Sequence, residues 1–164
     1  MRKAIVLVFA FALLFVASHA CAQTAPAPQT PPSWDQVAQQ TWTGVLDKII
    51  TMAKDFPEDK FSFKIHPETR SFPEELQHVA GMLLGGIEVL KGNRPNMQEI
   101  NAGLPKDKAG LVAVLEKAKA DYLSAWQADK RPNIIRTTEA MGEHYGKLVQ
   151  LYRANNLVPP ASRR

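Results

Sequence analysis

Apolar residues recur at intervals of three and four positions in four stretches of the chain, which predicts four amphipathic helices. Two of these stretches begin with a capping box, in which a serine and an acidic or amide residue three positions later cap each other: Ser33 with Gln36, and Ser71 with Glu74. Asn155 and Asn156 tolerate a left-handed backbone and are expected to close the last stretch. The predicted helices cover residues 33–56, 71–91, 107–128 and 132–155.

No stretch of the chain shows the sustained alternation of apolar and polar residues that a half-buried β-strand requires. Residues 61–65 do alternate, but they have no partner strand, and we interpret them as an extended part of a long connection. The predicted fold class is therefore all-α, a four-helix bundle. Because only residues 129–131 separate the last two predicted helices, we expect these two to be antiparallel neighbours. The connections at 55–70 and 92–106 are long enough to cross the end of the bundle.

The N-terminal residues have the pattern of a secretory signal peptide. Arg2 and Lys3 precede an apolar run at 4–17, which is short for a membrane span of about 20 residues. Small residues follow, and cleavage after Ala22 or after Ala20 would satisfy the signal-peptidase pattern. We therefore expect export to the periplasm or beyond, with no membrane span in the mature chain. The expected organisation is a signal peptide at 1–22, a Pro/Ala/Thr-rich linker at 23–33 and one domain at 34–164.

The single cysteine, Cys21, lies inside the expected signal peptide. A lipid on Cys21 would anchor the protein, but Ser18 stands where a bacterial lipobox prefers a branched apolar residue, so we favour export without an anchor. Cleavage after Ala22 would leave a mature chain with no disulfide and no thiol nucleophile. It would also lower the formal charge from +4 to +2, because Arg2 and Lys3 leave. The sequence has no dense stripe of basic residues, so it does not predict nucleic-acid binding.

Two histidines are the candidates for chemistry, because each falls on the inward side of a predicted helix. At 100° per residue, His144 shares its face with the apolar residues of the last helix. His78 lies opposite the side of its helix that we expect to be solvated, which holds Gln77, Gly81, Glu88 and Lys91. Facing helices of a bundle commonly build metal sites from such side chains. A pair of buried polar residues is an equally good interpretation of these two positions.

Ala140 lies one helical turn before His144, where a histidine would complete an H-x3-H pair. Asp121 borders the apolar side of the third helix and could replace the absent ligand, although solvent exposure explains it more simply. His66 belongs to the first long connection and is expected to be exposed. Glu139 and Glu143 point away from His144 and are interpreted as surface charges.

Three segments of the chain resemble the DinB-like superfamily, the relatives of damage-inducible proteins that form four-helix bundles with long crossover connections. They are FPEDKFSF followed by PETRSF at 56–72, ELQHVA at 75–80, and EHYGKLV leading to VPPAS at 143–162. The resemblance implies a divalent-metal site that takes one histidine from the second helix and an H-x3-H pair from the fourth. By position His78 and His144 match, and the third ligand falls on Ala140. Zinc or nickel is the implied ion, with positions left open.

The resemblance implies a metal-dependent hydrolase or thiol S-transferase acting on a small-molecule substrate, and pairing of two copies through helix faces. The alternative is a non-catalytic bundle that binds a small ligand or a protein partner, with the histidines as structural polar residues. Ala140 favours the alternative, because catalytic zinc normally keeps three protein ligands. The retained histidine pair favours the enzyme. We therefore expect a degenerate metal site with two of three histidines.

Overall fold

The computed structural model describes residues 30–126 and 131–163, and in this part of the chain it contains helices and no β-strand. The prediction of an all-α fold is confirmed. The signal peptide and most of the linker lie outside the described residues. The α-helices are α1 (Trp34–Asp55), α2 (Phe72–Leu90), α3 (Met97–Ala102), α4 (Lys108–Ser124) and α5 (Arg131–Ala154), with 3-10 helices at Glu58–Lys60 and Pro160–Ser162.

The predicted helix ends are present. The backbone N–H of Ser33 donates to Oε1 of Gln36 (2.7 Å), and the N–H of Ser71 donates to Oε2 of Glu74 (2.7 Å). Asn156 has a φ of 58° after α5, and the N–H of Leu157 donates to the carbonyl of Tyr152 (2.9 Å). This is a Schellman motif, which satisfies carbonyls that the end of a helix would otherwise leave unpaired.

The four long helices form a bundle in which α1 and α2 are diagonal, and each packs along α4 and α5. α1 and α5 run in the same direction, since Oη of Tyr152, near the end of α5, donates to the carbonyl of Met52, near the end of α1 (2.9 Å). α4 runs the other way, because Nζ of Lys108, at the start of α4, donates to the carbonyl of Phe56, just after the end of α1 (3.0 Å).

The prediction that the last two helices are neighbours is wrong, because α4 and α5 lie diagonally and touch only lightly. One such contact joins Oη of Tyr122, as donor, to Oγ1 of Thr137 (3.1 Å). The reason is the length of the link. α4 ends at Ser124, so residues 125–130 connect the helices, and six residues can span about 20 Å. That reach is enough to cross the bundle diagonally.

The connection between α2 and α4 contains a helix that the sequence pattern did not predict. α3 has only six residues, and its cap is Asn96, whose side chain accepts from the N–H of Glu99 (3.3 Å). α3 packs on α2 where glycines allow close approach: a Cβ on Gly81 would lie 2.5 Å from Oδ1 of Asn101. Gly81 is buried there, so its assignment to a solvated side of α2 was wrong.

Aromatic stacks fix the two ends of the bundle. At one end the rings of Phe56 and Phe72 stack with centroids 3.8 Å apart, and Tyr152 meets both rings edge-on. At the other end the rings of Trp42 and Tyr122 stack at 4.7 Å. The first cluster ties the start of α2 to the end of α5, and the second ties α1 to α4. In the described part of the chain, no helix is both long enough and apolar enough to cross a bilayer.

Candidate functional site

His144 lies in the second half of α5 and faces α2. It is 4% exposed, so its predicted inward orientation is confirmed. Met141 and Leu148, one turn before and one turn after it, are fully buried on the same side of α5. A buried imidazole needs hydrogen-bond partners for its ring nitrogens.

The partner of His144 is Glu75, in the first turn of α2. Oε1 of Glu75 accepts a short hydrogen bond from Nδ1 of His144, and Glu75 is itself 2% exposed. The helix N-terminus favours a carboxylate at this point of α2. Since a carboxylate can only accept, the proton of this bond belongs to Nδ1 of His144. Nε2 of His144 is left to bind something else.

The second oxygen of Glu75 faces the entrance of α2. Oε2 lies 3.4 Å from Nη1 of Arg70, an exposed side chain in the preceding connection. The buried carboxylate therefore has an imidazole on one side and a guanidinium on the other, which offsets the cost of burying its charge.

His78 follows Glu75 by three residues and completes the group. Its ring is half-buried and meets the ring of His144 at an angle of 71°, with centroids 4.7 Å apart. Burial is the main cause that lowers the pKa of His78 below its usual value, and the positive charges of Arg70 and Lys147 lower it further. The charge of Glu75 acts in the opposite direction. His78 is thus held as the neutral imidazole, the form that binds metal ions.

The remaining predicted residues do not join this group. Ala140 is half-buried on α5 and supplies no ligand. Asp121 pairs with Lys117 on the surface of α4 (2.6 Å) and borders a groove formed by the second half of α2 and by α3. His66 is exposed in the first connection, and Glu143 is exposed and pairs with Lys147 (2.6 Å). These last two positions are as predicted.

Within the described residues, no cluster of three or more histidine, cysteine or acidic side chains has the arrangement of a metal site. The donors at hand are two imidazoles, with a carboxylate bonded to one of them. This donor set suits a divalent ion such as zinc, because imidazole is among its preferred ligands and carboxylates commonly orient such imidazoles. His78 and His144 are the residues that would hold it.

Glu75 was missed as a functional residue by the sequence reasoning, which quoted it only as part of a family segment. A signal was present. In Glu75-Leu76-Gln77-His78 a carboxylate precedes an inward histidine by three residues, and this spacing places both side chains on one face of a helix. The Glu-x-x-His pattern is a known way of building polar sites inside helical bundles.

Comparisons of the chain with protein-family models, with curated proteins and with solved structures gave no match.

Proposed function

We propose that this protein is an exported DinB-like bundle with a degenerate divalent-metal site, in which His78 and His144 hold zinc or nickel. The observation that carries the proposal is the group of three side chains between α2 and α5. Two imidazoles meet there, and Glu75 binds the Nδ1 side of one of them. The signal-peptide pattern supports export, and the resemblance supports a homodimer.

Glu75 supports a metal site because metal-binding histidines nearly always donate their other ring N–H to a carboxylate or a carbonyl. Such a bond fixes the tautomer and the ring orientation. In His144 it leaves the Nε2 lone pair for coordination. His78 contributes a second neutral imidazole, whose lowered pKa reduces competition between protons and the metal near neutral pH.

A divalent ion at this position would supply a Lewis acid that lowers the pKa of a bound water or thiol. The corresponding reaction classes are metal-dependent hydrolysis and thiol S-transfer to a small molecule. With two histidines instead of three, we expect weak affinity for the metal. Because Ala140 supplies no donor atom, more of the ion's coordination sphere would be open to substrate.

The same contacts also favour a second function, in which the three side chains have a structural role and bind no metal. Glu75 has partners on both oxygens, and Nδ1 of His144 is satisfied. This group can therefore serve as a buried polar network that specifies how α2 and α5 pack. The protein would then be a non-catalytic bundle that binds a small ligand or a partner chain.

Metal analysis of the purified protein, without a chelating tag, distinguishes the two functions. The proposal predicts zinc or nickel in the protein as isolated or after incubation with the ion, and loss of that metal in His78→Ala and in His144→Ala. His66→Ala is the matched control, because His66 is exposed and lies outside the group. A protein that stays metal-free after incubation would rule out the metal site and leave the non-catalytic function.

A further inference from the structure

A groove of about 430 Å³ opens between the start of α2, the second half of α5 and the connection that leads into α2. Its volume is in the range of small-molecule sites, roughly 300–1,000 Å³. Glu75 lines this groove, so the groove reaches the carboxylate that binds His144. Ile65 and Leu151 add apolar surface, and Gln150 adds an amide. The groove therefore leads from solvent to Glu75, and neither histidine is part of its lining.

Arg70 and Lys147 place two cations at this groove, one on each side. In the described part of the chain, the guanidinium of Arg70 has one long side-chain contact, the 3.4 Å approach to Glu75. Its other N–H groups are available to a ligand. Lys147 pairs with Glu143, but the two side chains are 42% and 65% exposed, and such surface pairs are weak. The ammonium of Lys147 can exchange this partner for a ligand.

The two acidic side chains of the groove, Glu75 and Glu68, would affect a bound anion differently. Both oxygens of Glu75 are already bound, one to His144 and one to Arg70. Glu68 is exposed at the rim, and its carboxylate would repel an anion. The available donors therefore belong to Arg70 and Lys147, and Glu68 opposes them from the edge.

We propose that this groove binds small molecules that carry a carboxylate group, with Arg70 as the main anchor and Lys147 as the second cation. A guanidinium binds a carboxylate through two parallel hydrogen bonds, which makes Arg70 the more specific of the two. The apolar body of the ligand packs against Ile65 and Leu151. As a substrate site the groove rests on the proposed function, because its link to the proposed metal site is Glu75, which lines the groove and binds His144. Binding itself requires no metal.

The test is an NMR titration of the protein after treatment with EDTA, with benzoate, benzyl alcohol and benzylammonium as probes. These three share a ring and differ in charge. We expect benzoate to shift the amide signals of residues 65–75 and 147–151, and the other two probes to leave them in place. Equal shifts with all three probes, or none with benzoate, would overturn the proposal. Because no metal is present, neither result depends on the metal site.

Single substitutions sharpen the test. Arg70→Gln should weaken benzoate about fivefold, since it removes a charge-assisted pair of hydrogen bonds. Lys147→Gln should weaken it about twofold to threefold, and Glu68→Gln should strengthen it by about twofold because a repulsive charge leaves the rim. Arg153→Gln is the control, an exposed arginine on α5 that does not line the groove. Unchanged affinity in both the Arg70 and the Lys147 variants would contradict the assigned anchors.

Discussion

Glu75 and His144 are 69 positions apart in the sequence and share a short hydrogen bond in the interior, between the first turn of α2 and the second half of α5. Both side chains are almost fully buried. A buried carboxylate is stable only when its charge is compensated, and a buried imidazole only when its N–H has an acceptor. Each residue therefore meets the requirement of the other, and the pair ties the two helices together in one register.

Replacing Glu75 tests how much this pair stabilises the fold. Glu75→Leu should lower the free energy of unfolding by about 3 kcal/mol, because Nδ1 of His144 loses its acceptor inside the protein. Glu75→Gln keeps an oxygen that can accept the bond and should lower it by only about 1 kcal/mol. Urea unfolding followed by circular dichroism measures both values. Glu68→Gln, on the exposed rim, is the control, and equal losses in the Leu and Gln variants would argue against the bond.

The tautomer of His144 is a direct consequence of the same contact. We expect the neutral ring of His144 to carry its proton on Nδ1 and not on Nε2, and long-range proton–nitrogen NMR spectra of the ring distinguish these two tautomers. Glu75→Gln should weaken zinc binding about 10-fold to 100-fold, the range seen when the carboxylate behind a metal-binding histidine is removed. An Nε2–H tautomer in the wild-type protein would contradict the role assigned to Glu75.

Much of the fold follows from local sequence signals. The boxes at Ser33 and Ser71 and the cap at Asn156 act within one turn of a helix, so the residues nearby are sufficient to predict them. The apolar period likewise predicted the burial of His144. The pairing of helices depends on where α4 ends, and α3 is too short to produce a period; both need tertiary information. Because the end of α4 could not be predicted, α4 and α5 were predicted to be neighbours, whereas they lie diagonally in the bundle.

The inward positions of the two histidines were predictable from the sequence, but the residue that binds His144 was not. Each histidine could be placed on an inward face from its own helix alone. The contact between Glu75 and His144 depends on the register of α2 against α5, which no single helix encodes. The same limit applies to Asp121. Its position near the apolar face of α4 could be predicted, but not the part of the bundle that this face contacts. It lies beside α3, away from the histidines.

Stability in acid should depend on Asp55, which joins the end of α1 to the C-terminal segment. Arg163 holds Oδ1 and Oδ2 of Asp55 (3.0 and 2.5 Å), and Oη of Tyr152 donates to Oδ2 (3.1 Å). The hydrogen bond from Arg163 is the main cause that lowers the pKa of Asp55, against the opposing effect of burial. The contribution of Asp55 to stability is therefore complete above its unfolded-state pKa of 3.8, and it is lost as the pH falls through the lower folded-state value.

Asp55→Asn removes this dependence. Because Asp55 is partly solvated, we expect a small loss of stability at pH 7 and a melting temperature that falls less steeply below pH 4 than in the wild-type protein. Thermal unfolding between pH 2 and pH 7 provides the measurement. Arg163→Gln should reproduce most of the effect, and the double variant should add little to either change. Wild-type and Asp55→Asn curves of the same shape in acid would show that the ion pair does not stabilise the fold.

Placing a histidine at position 140 tests whether this face of α5 can supply the third ligand of the proposed metal site. Ala140 is half-buried one turn before His144, so an imidazole at this position lies on the same face of the helix. Ala140→His should strengthen zinc binding by about 100-fold or more, since three protein ligands are what a catalytic zinc site normally keeps. Competition with a zinc-binding dye measures the affinity. Glu139→His is the matched control, because Glu139 is exposed and the same imidazole there points away from His144. Similar zinc affinity in the two variants would mean that a histidine at position 140 does not join His78 and His144, and the geometry assigned to this face of α5 would be wrong.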